Sequence, residues 1–179
     1  MTRVFHLALF IIIGTISASG ATFVVTKSAD TNDGVCDTDC SLREAVAAAN
    51  SAPTEDVIQF SDFVIGIGQL SLTRGEVTVQ GNGALSIYGP PSHFFTISGG
   101  DVSRVFFVRD GADISIEGLT VQGGNGIGAE QGAGGCILSH GQLRLTYTRF
   151  VNCHAVTSGG AIHSSGDLAQ LTISNSTLT

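Results

Sequence analysis

Three stretches in the last third of the chain repeat one another: ISIEGLTVQGG from Ile114, LRLTYTRFVNC from Leu143 and LTISNSTLT from Leu171. Aligned, they put Ile116, Leu145 and Ile173 in one column and Val121, Phe150 and Leu178 in another, at offsets of 29 and then 28 residues. A second pair, GGCI at 134–137 and GGAI at 159–162, recurs 25 residues apart, and a short polar turn follows each. Alternating strands spaced by glycine-rich turns suit a sandwich, a barrel or a solenoid; an internal repeat of this length decides for the solenoid. A unit of 25 to 29 residues with two or three short strands cannot bury its apolar face alone. It must stack on its neighbours, inward side chains forming ladders from coil to coil. The expected fold class is therefore all-β, a parallel β-helix over 57–179.

Upstream segments share the habit. VIQF at 57–60, QLSLT, EVTVQG, ALSIYG, FFTISGG and RVFFVRDG are short strands separated by Gly, Asn and Asp. Glycine is frequent at 24 residues, proline rare at 3, and only 13% of residues are charged, which favours strand and turn over long surface helices. The net charge of -7 and the lack of a basic patch with interleaved aromatics exclude nucleic acid as the expected partner.

One segment breaks the pattern. In CDTDCSLREAVAAAN, residues 36–50, Ser41 and Glu44 have the spacing of a capping box. Leu42, Ala45, Val46 and Ala49 fall on one narrow apolar face. Asn50 suits the end and Pro53 forbids continuation. A helix of about nine residues is marginal alone, and a solenoid leaves apolar interior and strand edges open at its ends. The expectation is that segment 22–56, with its acidic loop and helix, caps the first coil.

The first residues form a separate object. Arg3 precedes the apolar run VFHLALFIIIGTI at 4–16, and SASGA follows. The run is shorter than the ~20 residues a spanning helix needs, and the layout is that of a secretory leader, with cleavage after Gly20 or Ala21. Residues 1–21 are thus expected to be a signal peptide, the mature chain to lack a membrane-spanning helix, and the protein to be exported, extracellular or on the outer membrane or cell surface. In that setting disulfides persist. Cys36 and Cys40 are expected to bridge and pin the acidic loop to the helix start. Zinc would need four ligands and no second pair lies near; the C-x-x-x-C spacing is not a redox C-x-x-C. Cys136 and Cys153 either bridge adjacent strands or remain buried thiols.

Asp30, Asp33, Asp37 and Asp39 crowd the acidic loop. Four carboxylates suit calcium in ligand type, but Gly34 stands where an EF-hand loop needs a ligand, and Asp also serves plain turns. No cofactor is expected. GNGIGAEQGAGG imitates a phosphate loop, yet the following GCILS is strand-like, so a solenoid turn is expected. Glycoside hydrolysis needs two carboxylates on one cleft. Asp110, Asp113 and Glu117 align with Gly141 or Ser139, Gln142 and Thr146, so no carboxylate column forms. His140 and His163 stand in roughly matching turns, with nothing acidic beside them.

The segment DTNDGVCDTDCSLREAVAAAN resembles the N-terminal CSLREA domain of exported bacterial surface proteins. The downstream SRVFFVRDGADISIEGLTVQGG looks like its usual continuation, and FVNC at 150–153 with GGAI at 159–162 is similar to the elements of polymorphic outer-membrane protein repeats. The resemblance implies a leader, a right-handed parallel β-helix and no catalytic residues to carry over. It also implies further coils beyond Thr179, so that the chain is expected to be a fragment. The expected function is a non-enzymatic, adhesin-like surface stalk or passenger, with surface glycans or host proteins as partners. The alternatives are a carbohydrate-active β-helix and a purely structural module.

Overall fold

The computed structural model describes residues 19–91 and 95–179; the apolar run at 4–16, and with it the leader expectation, lies outside them. The elements in chain order are β1 (Thr22–Val25), α1 (Leu42–Ala49), β2 (Asp56–Phe60), α2 (Asp62–Ile67), β3 (Gln69–Ser71), β4 (Val77–Val79), β5 (Ala84–Tyr88), β6 (Phe95–Ser98), β7 (Phe106–Val108), β8 (Asp113–Glu117), β9 (Leu119–Gln122), β10 (Ile137–Ser139), β11 (Gln142–Thr146), β12 (Arg149–Val151), β13 (Ile162–Ser164), β14 (Gln170–Ser174) and β15 (Thr177–Leu178). Each coil lays one strand in each of three sheets in turn. The first sheet runs β1-β2-β5-β8-β11-β14, the second β3-β6-β9-β12-β15 and the third β4-β7-β10-β13. Every strand pairing is parallel. The chain is a β-solenoid of about four coils.

The columns read from the repeats are the observed register. Ile116 pairs with Leu145 and Leu145 with Ile173; Val121 pairs with Phe150 and Phe150 with Leu178; Ile137 pairs with Ile162. The same columns extend upstream through Ile58 and Ile87 in the first sheet and Leu70 and Ile97 in the second. Ile58, Ile87, Ile116 and Ile97 are fully buried, each such side chain contributing about 1.5–3 kcal/mol through burial. The alternation i-B-i-B-i of β8 explains the choice of residues: Ile114 and Ile116 point inward, Asp113, Ser115 and Glu117 outward.

Helix α1 has the geometry its sequence demands. The Ser41 hydroxyl accepts from the Glu44 amide at 3.1 Å, and the Glu44 carboxylate accepts from the Ser41 amide at 2.7 Å. Leu42, Ala45, Val46 and Ala49 join the core, and the helix lies against β1, β2 and β4, the first strands of two sheets. Arg43 ties it to the first coil by donating to the Gly75 and Glu76 carbonyls.

The strand that opens segment 22–56 belongs to the stack: β1 pairs with β2 over four residues and extends the first sheet, and β2 begins at Asp56. One feature differs from expectation. The segment 61–68 forms a helix that strand-like Val64, Ile65 and Ile67 conceal. The Ser61 hydroxyl accepts from the Val64 amide, and Gly68 ends the helix in a left-handed conformation, φ 83°.

Candidate functional site

Where the first sheet turns into the second, the chain makes a tight corner after β8, β11 and β14. The corner residues are Gly118, Tyr147 and Asn175, all left-handed, with φ of 68°, 49° and 50°. Glycine takes this conformation freely and asparagine tolerates it. Tyrosine does not; a bulky residue at positive φ is an outlier, at a cost of roughly 1–2 kcal/mol. Such strain persists where the surrounding structure holds it, most often at functional sites.

Tyr147 lines a cleft of about 880 Å³ with Phe60, Asp62, Tyr88, Pro90 and Glu117 among its walls. Tyr88 and Glu117 are neighbours in one outward column of the first sheet. Asp62 comes from the first turn of α2. Tyr147 and Tyr88 are 53% and 39% exposed, so the cleft presents two accessible aromatic residues beside two carboxylates. The carboxylate columns considered from the sequence do not form: Asp113 faces Gln142, and Glu117 faces Thr146. Glu117 and Asp62, the latter from a helix that the sequence reading did not contain, instead line the same cleft. The tyrosine was within reach, because a column that reads Gly, Tyr, Asn has one member unsuited to the turn.

The other expected residues lie elsewhere. Cys36 and Cys40 are bonded, Cα–Cα 4.5 Å, immediately before the helix cap; Cys136 and Cys153 are bonded, Cα–Cα 5.3 Å, joining the end of the glycine-rich loop to the next coil. The four aspartates of the acidic loop go separate ways. Asp30 is buried and takes Arg43 together with the Thr73 and Arg74 amides. Burial pushes its carboxyl up, but Arg43 and those amides outweigh burial and hold it below the usual carboxylate range. Asp33 and Asp37 close turns on the amides of Val35 and Asp39, and Asp39 pairs with Lys27 at 3.1 Å. Among the described residues no group of three or more His, Cys, Asp or Glu side chains is placed to hold a metal ion. Glu44 behaves like Asp30: burial raises it, and the Ser41 and Asp33 amides, the Ser41 hydroxyl and Lys27 together lower it.

The two histidines do not stack. His163 pairs with Leu138, so His140 lies two positions out of register. His140 contacts the Ser165 carbonyl and, against expectation, the Glu130 carboxylate at 3.0 Å.

The glycine-rich loop is organised by Arg104, which is fully buried and escaped the sequence reading. Its guanidinium donates to the carbonyls of Gly126, Ala129, Glu130, Ala133 and Gly134 and to the Glu76 carboxylate. A phosphate loop turns N–H groups toward its ligand. Here the carbonyls converge, on a cation the chain itself supplies. The signal was the spacing: Glu76 and Arg104 are 28 residues apart, close to one coil.

No described helix is long and apolar enough to cross a membrane. No family model matches the chain, and neither a curated protein nor a solved structure matches it.

Proposed function

We propose that the protein is a non-enzymatic, exported β-helix of the cell surface whose corner cleft binds neutral glycans, in the manner of an adhesin stalk or passenger. The likeness of residues 30–50 to the CSLREA segment and the leader-like start support export. The observation that carries the binding reading is Tyr147, held at a φ of 49° where neighbouring coils place Gly118 and Asn175. A sugar ring lays its apolar C–H face on the electron-rich face of a tyrosine, and carboxylates accept hydrogen bonds from adjacent hydroxyls. Two acidic walls, Asp62 and Glu117, disfavour anionic sugars. Titration calorimetry with a panel of neutral oligosaccharides tests this. Binding that Tyr147→Asn removes, with the fold intact, is expected; equal binding by that variant sinks the reading.

The presence of Asp62 and Glu117 in one cleft favours a second reading, a carbohydrate-active enzyme using two carboxylates. Incubation with polysaccharides separates the two. New reducing ends or unsaturated products that Glu117→Gln abolishes would replace the binding module with an enzyme.

A further inference from the structure

Asp56 is an aspartate where an aliphatic residue belongs. It opens β2 at the head of the inward column that continues as Leu85, Ile114 and Leu143, and it is 2% exposed. Its Oδ1 accepts from the Ala21 backbone nitrogen at 2.7 Å and from the Thr54 hydroxyl at 2.8 Å. Its Oδ2 is buried with no hydrogen-bond partner among the described residues. A carboxylate at the end of an apolar ladder, served on one oxygen only, is an unfavourable arrangement that calls for a charged donor.

The donor nearest to it is the nitrogen of Ala21. We infer that an endopeptidase hydrolyses the Gly20–Ala21 bond and that the α-ammonium so formed is the ion-pair partner of Asp56. Water supplies the hydroxyl to the Gly20 carbonyl carbon and a proton to the Ala21 nitrogen, which takes a second proton from solvent. The amide brings one N–H to Asp56; the ammonium brings three, and, released from the Gly20 carbonyl, it serves both oxygens. Its positive charge also compensates the buried negative one. The inference rests on the export reading and narrows it to one bond.

Small residues precede both candidate bonds, Ala18 and Gly20 before this one and Ser19 and Ala21 before the next, so the hydrogen bonds of Ala21 choose between them. A cut after Ala21 would remove the amide that Asp56 accepts from. It would also remove the Ala21 carbonyl, which accepts from the Val57 amide at 2.9 Å.

The test begins with the full-length chain, secreted from a host and characterised by intact mass and N-terminal sequencing. Ala21 as the first residue is expected. A start at Thr22 or elsewhere, or an unremoved leader on the secreted chain, overturns the inference while leaving export standing; a chain that stays inside the cell with its leader intact overturns both. The pairing itself is read by comparing the secreted chain with one made to begin at Gly20 by removal of a tag. Every other ionisable group is common to the two. An ammonium stabilised by a carboxylate has its pKa raised in the folded state. Its contribution is therefore whole below the ordinary value of about 8 and is lost as pH rises through the folded value. Between pH 7 and pH 10 the unfolding equilibrium constant of the Ala21 chain should rise about tenfold more than that of the Gly20 chain, corresponding to about one pKa unit. Equal pH dependence overturns the pairing. Asp56→Asn in the Ala21 chain should abolish the difference; if that variant does not fold, the comparison of the two native chains decides alone.

Discussion

The two ends of the coil stack use the same columns and meet different surroundings. At one end, Ile58, in the same column as Ile173, is fully buried, with β1 paired to its strand and α1 packed against both. At the other, every residue of β14 is exposed, and Leu171 and Ile173 are each 41% accessible. Ile116 and Leu145, in the same column as Ile173, are 0% and 1% exposed. The residues are alike, so the difference lies in the neighbour. A coil acquires its core from the coil stacked on it, and stability is a sum over interfaces rather than a property of one segment.

The comparison is broken most severely by placing a charge in the column. Ile116→Asp buries an unpaired carboxylate and should cost about 4 kcal/mol or more. Ile173→Asp, half in water already, should cost about 1 kcal/mol or less. Urea titration followed by circular dichroism measures both. Equal losses would mean that position 173 is covered in solution.

The disulfides differ between the two sides in the opposite sense, the larger loop being closed nearer the exposed end. Removing Cys136–Cys153 as a paired serine substitution frees a 17-residue separation and should cost about 3 kcal/mol. Removing Cys36–Cys40 frees a separation of 4 and should cost about 2 kcal/mol by the same loop-entropy reasoning. Thermal melts of the two double variants rank them. The reverse order would show that the small bridge organises the whole acidic loop.

Acid sharpens the contrast further. The folded-state pKa values of Asp30 and Glu44 lie below their unfolded ones. Their contribution is therefore present above the ordinary carboxylate range, about pH 4, and is lost as pH falls through the lowered values. Both groups hold the N-terminal end: Asp30 clamps Arg43 to the turn at Thr73 and Arg74, and Glu44 clamps the acidic loop. Amide exchange, corrected for intrinsic rates, should show α1 losing protection below pH 4 while β8 keeps it. Simultaneous loss would mean that the two regions unfold as one unit.

What the sequence revealed and what it concealed follow the same line. The columns through Ile116, Val121 and Ile137 were legible because burial imposes a period, and a period survives without coordinates. The capping box at Ser41 and Glu44 was legible because its parts are three residues apart. Helix α2 was hidden by β-branched residues, and with it Asp62, half of the acidic wall. Arg104 reads as a surface charge beside a strand, since only the folded loop turns the carbonyls of Gly126 and Ala133 toward it. The histidines failed through arithmetic: loop lengths vary between coils, and a slip of two residues separates His140 from the partner of His163.

The smallest effect is the most pointed, because it opposes stability to function at one residue. Tyr147 shares its corner position with Gly118 and Asn175, and only the tyrosine is ill suited to it. The residue is 53% exposed, so little burial offsets the backbone strain. Tyr147→Asn should therefore stabilise the chain by about 1 kcal/mol, as a residue that tolerates the left-handed region replaces one that does not. In the same variant, glycan binding should disappear. Chemical denaturation and calorimetry on one preparation read both. A loss of stability would place the tyrosine ring among the packing contacts of the corner, and the cleft would lose its reason to be called a site. A gain in stability with binding lost would mean the chain keeps a strained residue for the surface it presents.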